Sequence, residues 1–434
     1  MDKMADVLGR AGAWCGQNKY LSAIKNAFQN FMPLTIAGAI GVLWCNVLVN
    51  ESTGLGIFFK PIMALEFLNP AFQAVNFCTI SCITVGITLG IAQEIGVWNM
   101  GAERAGYIPG LVGLAAWLSV TNTSHMVDGA KEAFTGIAGN ELGATGLFTG
   151  MIIGVLSVEL FCFFEKQDAL KIKMPEQVPP GVARAFEVLV PATITLIITA
   201  CIGSACYNLT GLYLNDVIKN GIQGPLGAVG ATIPGVMIIY LVIMLFWLVG
   251  IHGNNMLSAV KEALFTPLAL ENVEKFNKGE KPTNIINMYA LQMWGEFGGS
   301  GVTIGLVIAI MIFGKREDNK AIATLSLVPG LFNINETVTF GIPMVLNPIL
   351  GIPFVFACLV TILVGYVLTV IGFCPVACLT VPWTTPPIVF GFLACGANVM
   401  GAVTQAILIV VSTVIYTPFL ISYEKYQNKQ AAEA

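Results

Sequence analysis

Charge is scarce in this sequence. Asp, Glu, Lys and Arg make up 11% of it against 56% hydrophobic residues, whereas a water-soluble domain carries roughly 25% charged residues. Histidine is almost missing, with His125 and His252 as the two examples. That is too few for a multi-haem redox protein. The eleven cysteines include no Cys-x-x-Cys pair. Most lie inside apolar runs, where a thiol behaves as a small hydrophobe. No disulfide framework, metal or cofactor is expected. A Walker A phosphate loop, a Rossmann glycine pattern and an HExxH zinc motif are also missing, which argues against an ATP-driven pump or a membrane protease. A net charge of −4 over 434 residues gives no reason to expect nucleic acid as a partner.

Long apolar runs fill the space that charge leaves. They read at about 33–49, 72–96, 106–120, 142–164, 186–208, 233–250, 297–314, 346–373 and 400–423, and about 18 or more apolar residues suffice to cross a bilayer. The expected fold is an all-α polytopic membrane protein. The opening segment, with Lys3, Arg10, Lys19 and Lys25, reads as a helix at the membrane surface rather than a secretory signal. Basic residues gather there, in Lys166–Arg184, in Lys315–Lys320 and in the tail. By the positive-inside rule these regions and both termini face the cytoplasm, and the segments 51–68 and 121–141 face outward. The stretch EKQDALKIKMPEQVPPGVARAFE, from Glu165 to Glu187, reads as a stiff cytoplasmic loop because of Pro179-Pro180. It divides an N-terminal bundle, 1–185, from a larger C-terminal part, 186–434.

Two places break the apolar pattern in the same way. In WLVGIHGNNMLSAV, Gly250 and Gly253 flank His252, with Asn254 and Asn255 following. In LVPGLFNINETVTFGIPMVLNPI, an Asn-Ile-Asn-Glu cluster places Glu336 among prolines and glycines with no basic residue beside it. Helices broken near 251–275 and 321–345 are therefore expected. Irregular backbone at membrane depth persists where it is buried in protein or lines a wet cavity, and transporters place substrate at such breaks. Glu336 reads as a site residue, since an ionisable group at depth marks a pathway or site by default; the plainer alternative is a hydrated loop end. His252 is either a second site residue or a buried imidazole bonded to a carbonyl. Glu94, Glu159 and Glu296 lie beside apolar runs, where interfacial solvation suffices to explain them. Trp383, in VPWTTPP, suits stacking on a sugar face or anchoring at the interface.

The segments NINETVTFGIPMVLNPI, FWLVGIHG, MPEQVPPGVARAFE and FMPLTIAGAI together resemble the membrane component, enzyme IIC, of bacterial phosphotransferase systems, in the lactose/cellobiose/diacetylchitobiose branch. The resemblance covers essentially the whole chain. It implies about ten transmembrane helices plus two re-entrant hairpins, in a homodimer whose N-terminal bundle dimerises and whose C-terminal part transports. It also implies a β-linked disaccharide as substrate, phosphorylated at its C6 hydroxyl by a phosphocysteine on a separate IIB protein, with IIA upstream, at the bacterial inner membrane. Glu336 and His252 match the glutamate and histidine that contact the reacting hydroxyl. Gly181, Trp383 and Asn140 match further sugar-contacting positions. Thr337 departs from the proline that many relatives carry after the glutamate. A proton- or sodium-coupled sugar transporter is the alternative reading of the same breaks.

Overall fold

The computed structural model of the chain describes residues 10, 13–14, 17–51, 56, 59–125, 134–175, 177–225, 230–342 and 344–433. Much of the segment read as a surface helix, and parts of the 51–68 and 121–141 connections, lie outside the described residues. Two compact units form: Gln17–Gly38 with Ala74–Gly227, and Met1–Gly16 with Ala39–Gln73 and Ala228–Ala434.

The first of these units is built on helices α1 (Lys19–Leu43, which continues beyond it), α2 (Ile83–Met100), α3 (Ile108–Val120), α4 (Ala144–Glu165) and α5 (Pro180–Thr210). Helices α2, α3 and α4 pack on one another, and α3 and α4 pack on α5. Buried Ile83, Ile87, Ile91 and Ile95 recur every fourth residue along α2, with Thr84 and Thr88 beside them, which is the spacing of one helical face. Small residues set how closely these helices approach, because lipid offers no hydrophobic drive for helices to associate. A Cβ on Gly113 would stand 2.3 Å from that of Ala92, and one on Gly150 would stand 2.2 Å from Thr88 Oγ1.

Glu94 and Glu159 are not merely solvated at an interface. Glu94 accepts hydrogen bonds from Asn26 at 2.9 Å and Asn30 at 3.4 Å, and Glu159 pairs with Lys19 at 2.5 Å. The connection from Glu165 to Glu187 is tied at both ends. Arg104 and Arg184 each reach Glu165 and Glu187, at 2.8–2.9 Å. Helix α5 runs unbroken past residue 185. A short antiparallel ladder pairs Ser124–His125 with Phe134–Thr135.

The second unit contains α6 (Ile233–Leu248), α7 (Ser258–Asn277), α8 (Met288–Gly295), α9 (Ile304–Phe313), α10 (Glu317–Leu331), α11 (Glu336–Gly341), α12 (Gly351–Val370), α13 (Val389–Ala394) and α14 (Val399–Glu433). Helix α14 packs on α9, α12 and α13. Tyr240, Trp294, Phe297, Phe354 and Tyr416 are fully buried there. At the turn between α8 and α9, Gly301 has φ +75°. A Cβ on Gly301 would come within 2.4 Å of Phe354, and its carbonyl accepts a 2.7 Å bond from Tyr416 Oη.

Among the described residues, six helices are long and apolar enough to cross a membrane. A seventh span results if the pair Met288–Val302 and Ile304–Phe313, bent by 60°, counts as one, and Ile108–Val120 and Ile233–Leu248 are shorter apolar helices. The helical, polytopic architecture is the expected one.

The close approach at Gly113 predicts that Gly113→Leu, but not Gly139→Ala at an open position, lowers the melting temperature in detergent. Overpacking of this kind costs about 1–3 kcal/mol. Equal melting curves for Gly113→Leu and the parent would contradict the packing described.

Candidate functional site

The chain leaves its helices at both motifs, after Leu248 and after Leu331, while most of 251–275 and of 321–345 is helical, in Ser258–Asn277, Glu317–Leu331 and Glu336–Gly341. The backbone explains each break. Helix α6 ends at Leu248, and Gly250 turns the chain with φ +82°, in the left-handed region that favours glycine. The chain then folds back so tightly that a Cβ on Gly253 would meet the Ile243 carbonyl oxygen at 2.0 Å. His252 caps the single turn Gly253–Met256, its Nδ1 accepting the Asn255 N–H at 3.2 Å. A ring nitrogen that accepts carries no hydrogen, so the neutral tautomer set by this network has its hydrogen on Nε2. The indole of Trp247 lies 4.4 Å from the imidazole, centroid to centroid. Burial pushes the pKa of His252 below its ordinary value, against the pull of Glu336, which favours that neutral form.

At the second break, α10 stops at Leu331 and Asn333 adopts φ +64°, a conformation asparagine tolerates better than most residues. Asn333 Oδ1 accepts the Gly298 N–H at 2.6 Å, and its Nδ2 donates to the carbonyls of Trp383 and of Thr385, the latter at 3.2 Å. Asn335 Nδ2 donates to the Ser300 carbonyl at 2.8 Å. Glu336 then opens α11. Thr337 occupies its second position, where a backbone N–H has no partner within the helix in any case. A threonine in place of proline therefore removes nothing from the helical ladder.

These two segments bring His252 and Glu336 together, with Nε2 and Oε1 3.9 Å apart and the side chains 38% and 47% exposed. That is too far for a direct hydrogen bond, and both groups are open to a ligand. Trp383 is bound through its backbone to the Asn333 turn, with the residue 44% exposed. Gly181 and Asn140 belong to the other unit. Gly181 is the second residue of α5, with open space where a Cβ would be, and Asn140 is exposed on the short helix Gly139–Leu142.

Behind the His252 turn lies a set of polar groups whose mutual connection the sequence did not reveal. Glu296 pairs with Lys261 and accepts a 2.7 Å bond from Tyr240 Oη, so it is held by protein groups rather than by interfacial water. Lys261 Nζ also donates to Asn254 Oδ1 at 3.1 Å, and Asn254 Nδ2 donates to Ser300 Oγ at 2.9 Å. Lys261 looks in the sequence like one charge among several on an ordinary helix, SAVKEALFTPLALENVEKFN. Among the described residues no cluster of His, Cys, Asp and Glu is arranged to hold a metal.

The sequence profile of the family described as "Phosphotransferase system, EIIC" matches residues 25–358. The chain belongs to that family. Relatives match along the whole length of this EIIC chain. The oligo-beta-mannoside-specific EIIC component of Bacillus subtilis (strain 168) is 32% identical, over 98% of this chain and 94% of its own. The cellobiose-specific EIIC component of Lactococcus lactis subsp. lactis (strain IL1403) is 29% identical, over 98% of each. Among solved structures, the transporter ChbC, the IIC component from the N,N'-diacetylchitobiose-specific phosphotransferase system, superposes with a TM-score of 0.88 over 97% of both chains, at 29% identity. This EIIC chain is thus a multi-pass membrane component of a sugar phosphotransferase system.

The three bonds of Asn333 and its positive φ predict that Asn333→Ala melts earlier than Asn333→Gly, and both earlier than the parent. The alanine variant loses the bonds and also retains roughly 1–2 kcal/mol of backbone strain, which glycine avoids. Thermal melts of the three proteins test the ranking; alanine equal to the parent contradicts it.

Proposed function

We propose that this chain binds a β-linked disaccharide of the cellobiose, diacetylchitobiose or lactose type and presents its C6 hydroxyl to a phosphocysteine on a separate IIB protein. IIA stands upstream as the donor to IIB. The observation that carries this reading is the 3.9 Å separation of His252 Nε2 and Glu336 Oε1. A hydroxyl oxygen at about 2.8 Å from each atom bridges that span with ordinary hydrogen bonds. Because Nε2 carries the hydrogen, His252 donates to the hydroxyl oxygen and fixes it in place. The hydroxyl hydrogen is then directed at Glu336, the acceptor available on the other side.

Phosphoryl transfer forms the bond between the sugar oxygen and phosphorus as the cysteine sulfur–phosphorus bond breaks. The electron pair leaves with sulfur and the hydroxyl proton passes to Glu336. Positioning supplies much of the rate in such transfers, and general base assistance adds to it. The exposed indole of Trp383 suits the apolar C–H face of a sugar ring, and Gly181 and Asn140 are proposed as further contact positions. Relatives specific for oligo-beta-mannoside and cellobiose, together with the likeness to ChbC of the N,N'-diacetylchitobiose-specific system, support the substrate class. The proposed assembly is a homodimer of ten-span protomers in the bacterial inner membrane, with both termini cytoplasmic. In it, residues 1–185 dimerise and residues 186–434 transport.

Uptake of radiolabelled cellobiose, diacetylchitobiose and lactose into liposomes tests the reading. Sugar phosphate is expected inside when phosphorylated IIB is present, and not without it. Unmodified sugar concentrated by a proton or sodium gradient would instead assign Glu336 to ion coupling. Glu336→Gln is expected to lower phosphorylation by about 10²-fold or more, as loss of a positioned base does, while the sugar still binds. Parental rates with IIB in excess would remove the base role.

The lowered pKa of His252 sets a pH expectation. A depressed value keeps the imidazole neutral, and its Nε2–H donating, as pH falls through the ordinary histidine range near 6.5. Sugar affinity measured by calorimetry should therefore hold constant from pH 8 down to about 6.5 and weaken only below it. Half-loss at pH 7 or above contradicts the assigned environment.

A further inference from the structure

The Lys261–Glu296 pair lies outside the contacts just described, yet its hydrogen bonds lead to the segments that carry both His252 and Glu336. Its two side chains are 7% and 18% exposed. A buried ion pair that only stabilises a fold is a weak device, since well-packed apolar residues often do as well or better. This pair does something an apolar pair could not, because Lys261 has hydrogen bonds to spare. While pairing with Glu296 it donates to Asn254 Oδ1 at 3.1 Å. That bond fixes which end of the Asn254 amide is the acceptor, and so points the Nδ2 hydrogens at Ser300 Oγ, 2.9 Å away. The carbonyl of the same Ser300 accepts Asn335 Nδ2 at 2.8 Å.

Asn254 stands two residues after His252, and Asn335 stands one residue before Glu336. Two residues before Ser300, the Gly298 N–H bonds Asn333, whose amide holds the Trp383 carbonyl. The turn Gly298–Ser300 is thus a bracket, with the histidine segment held on one side and the glutamate and tryptophan segments on the other. Gly299, at φ +87°, lets the bracket come so close that a Cβ there would stand 2.6 Å from the Asn335 side chain.

We propose that Lys261 is a positioning residue. Paired with Glu296 behind the site, it orients Asn254 and, through Ser300, couples the His252 turn to the Asn335–Glu336 tip, so that the two groups keep the spacing one hydroxyl requires. The inference rests on the phosphorylation reading above and extends it to residues that touch no substrate. A set spacing acts on the transferring geometry more than on the many contacts a disaccharide makes. Its loss therefore lowers kcat rather than raising KM.

The test compares full-length protein in liposomes, with cellobiose as acceptor and phosphorylated IIB as donor, for the parent and three variants. Lys261→Met/Glu296→Gln removes both charges together and leaves neither buried alone. Asn254→Ala keeps the ion pair and cuts the link to Ser300. The third variant combines all three changes. A misplacement near 1 Å costs about 10²-fold. We therefore expect kcat to fall at least about tenfold in each of the first two variants with KM within about threefold of the parent. The combined variant should be no slower than the slower of the two, since members of one chain of bonds do not add.

Parental kcat in the folded variants, or a raised KM with kcat unchanged, overturns the proposal. Losses that multiply in the combined variant overturn it too, because they mark independent roles. If the charge-neutral pair fails to fold, Asn254→Ala decides alone by its own kcat and KM. A parent that makes no sugar phosphate overturns the premise and the inference together, whereas a working parent with unaffected variants overturns the inference only.

Discussion

Each backbone group that leaves a helix inside an apolar protein needs a new partner, and side-chain amides provide many of them here. An asparagine or glutamine amide offers a carbonyl and an N–H2 group, the same pair a peptide offers, without the solvation cost of a charge. Asn287 Oδ1 accepts the N–H groups of Tyr289 and Ala290 at the start of α8, while its Nδ2 holds the carbonyls of Asn284 and Ala377. Asn272 does the same for Thr283, Asn284 and Ala377. Gln405, on α14, accepts from Ile388 and Gly391 and donates to Met293. The Ile388 bond spans the start of α13, where a β-branched residue is held at φ +75°, an unfavourable conformation that persists only when surrounding contacts impose it. Asn333 and Asn335 belong to this same set. The Asn333–Glu336 tip is thus one of several helix breaks in this unit held by amides, whereas the His252 turn is capped by its own imidazole.

Charge is distributed on the opposite principle. Lys261 and Glu296 are withdrawn from water and compensate one another, with Tyr240 and Asn254 taking up further hydrogen-bonding capacity. In the other unit, Glu165 is buried with two arginines on it. His252 and Glu336 remain more than a third exposed, and on the proposed reading their polar capacity is turned to the sugar. A sugar is recognised by hydroxyls, which call for a few well-placed donors and acceptors in a largely apolar setting. The amide scaffold holds the broken backbone of such a site without using a charge for the purpose.

This division also explains what the sequence disclosed. Apolar runs reveal a helical membrane protein because hydrogen-bond satisfaction in lipid leaves a chain of this kind few other choices. The breaks at Gly250–Gly253 and at Asn333–Glu336 were legible because their residue types are poor helix formers and are useful in turns. Lys261 was not, because its partner Glu296 lies 35 residues away, beyond the rest of α7, the connection after it and α8. Glu94 and Glu159 looked hydrated for the same reason, since Asn26 is 68 residues from the first and Lys19 belongs to α1. Local pattern reports the period of an element and the residues that end it. It does not report which distant polar group folds back onto which. The span count suffers likewise, because the 60° bend between α8 and α9 makes one apolar run neither a clean span nor a clean break.

The exposure of Glu336 bears on turnover as well as on binding. On the proposed reading, the carboxylate takes the hydroxyl proton as the phosphoryl group arrives, so it is neutral when the product first forms. Nearly half the side chain is open, so water can remove that proton. A restored carboxylate then faces a sugar phosphate that is itself anionic, and like charges at close range repel. The same carboxylate in the protected position of Glu296 would have lysine beside it and no ready route to water. It would hold the phosphate rather than expel it. A helix opening at Glu336 on an exposed tip, with the facing imidazole held neutral, suits a site that must attract an uncharged sugar and release a charged one.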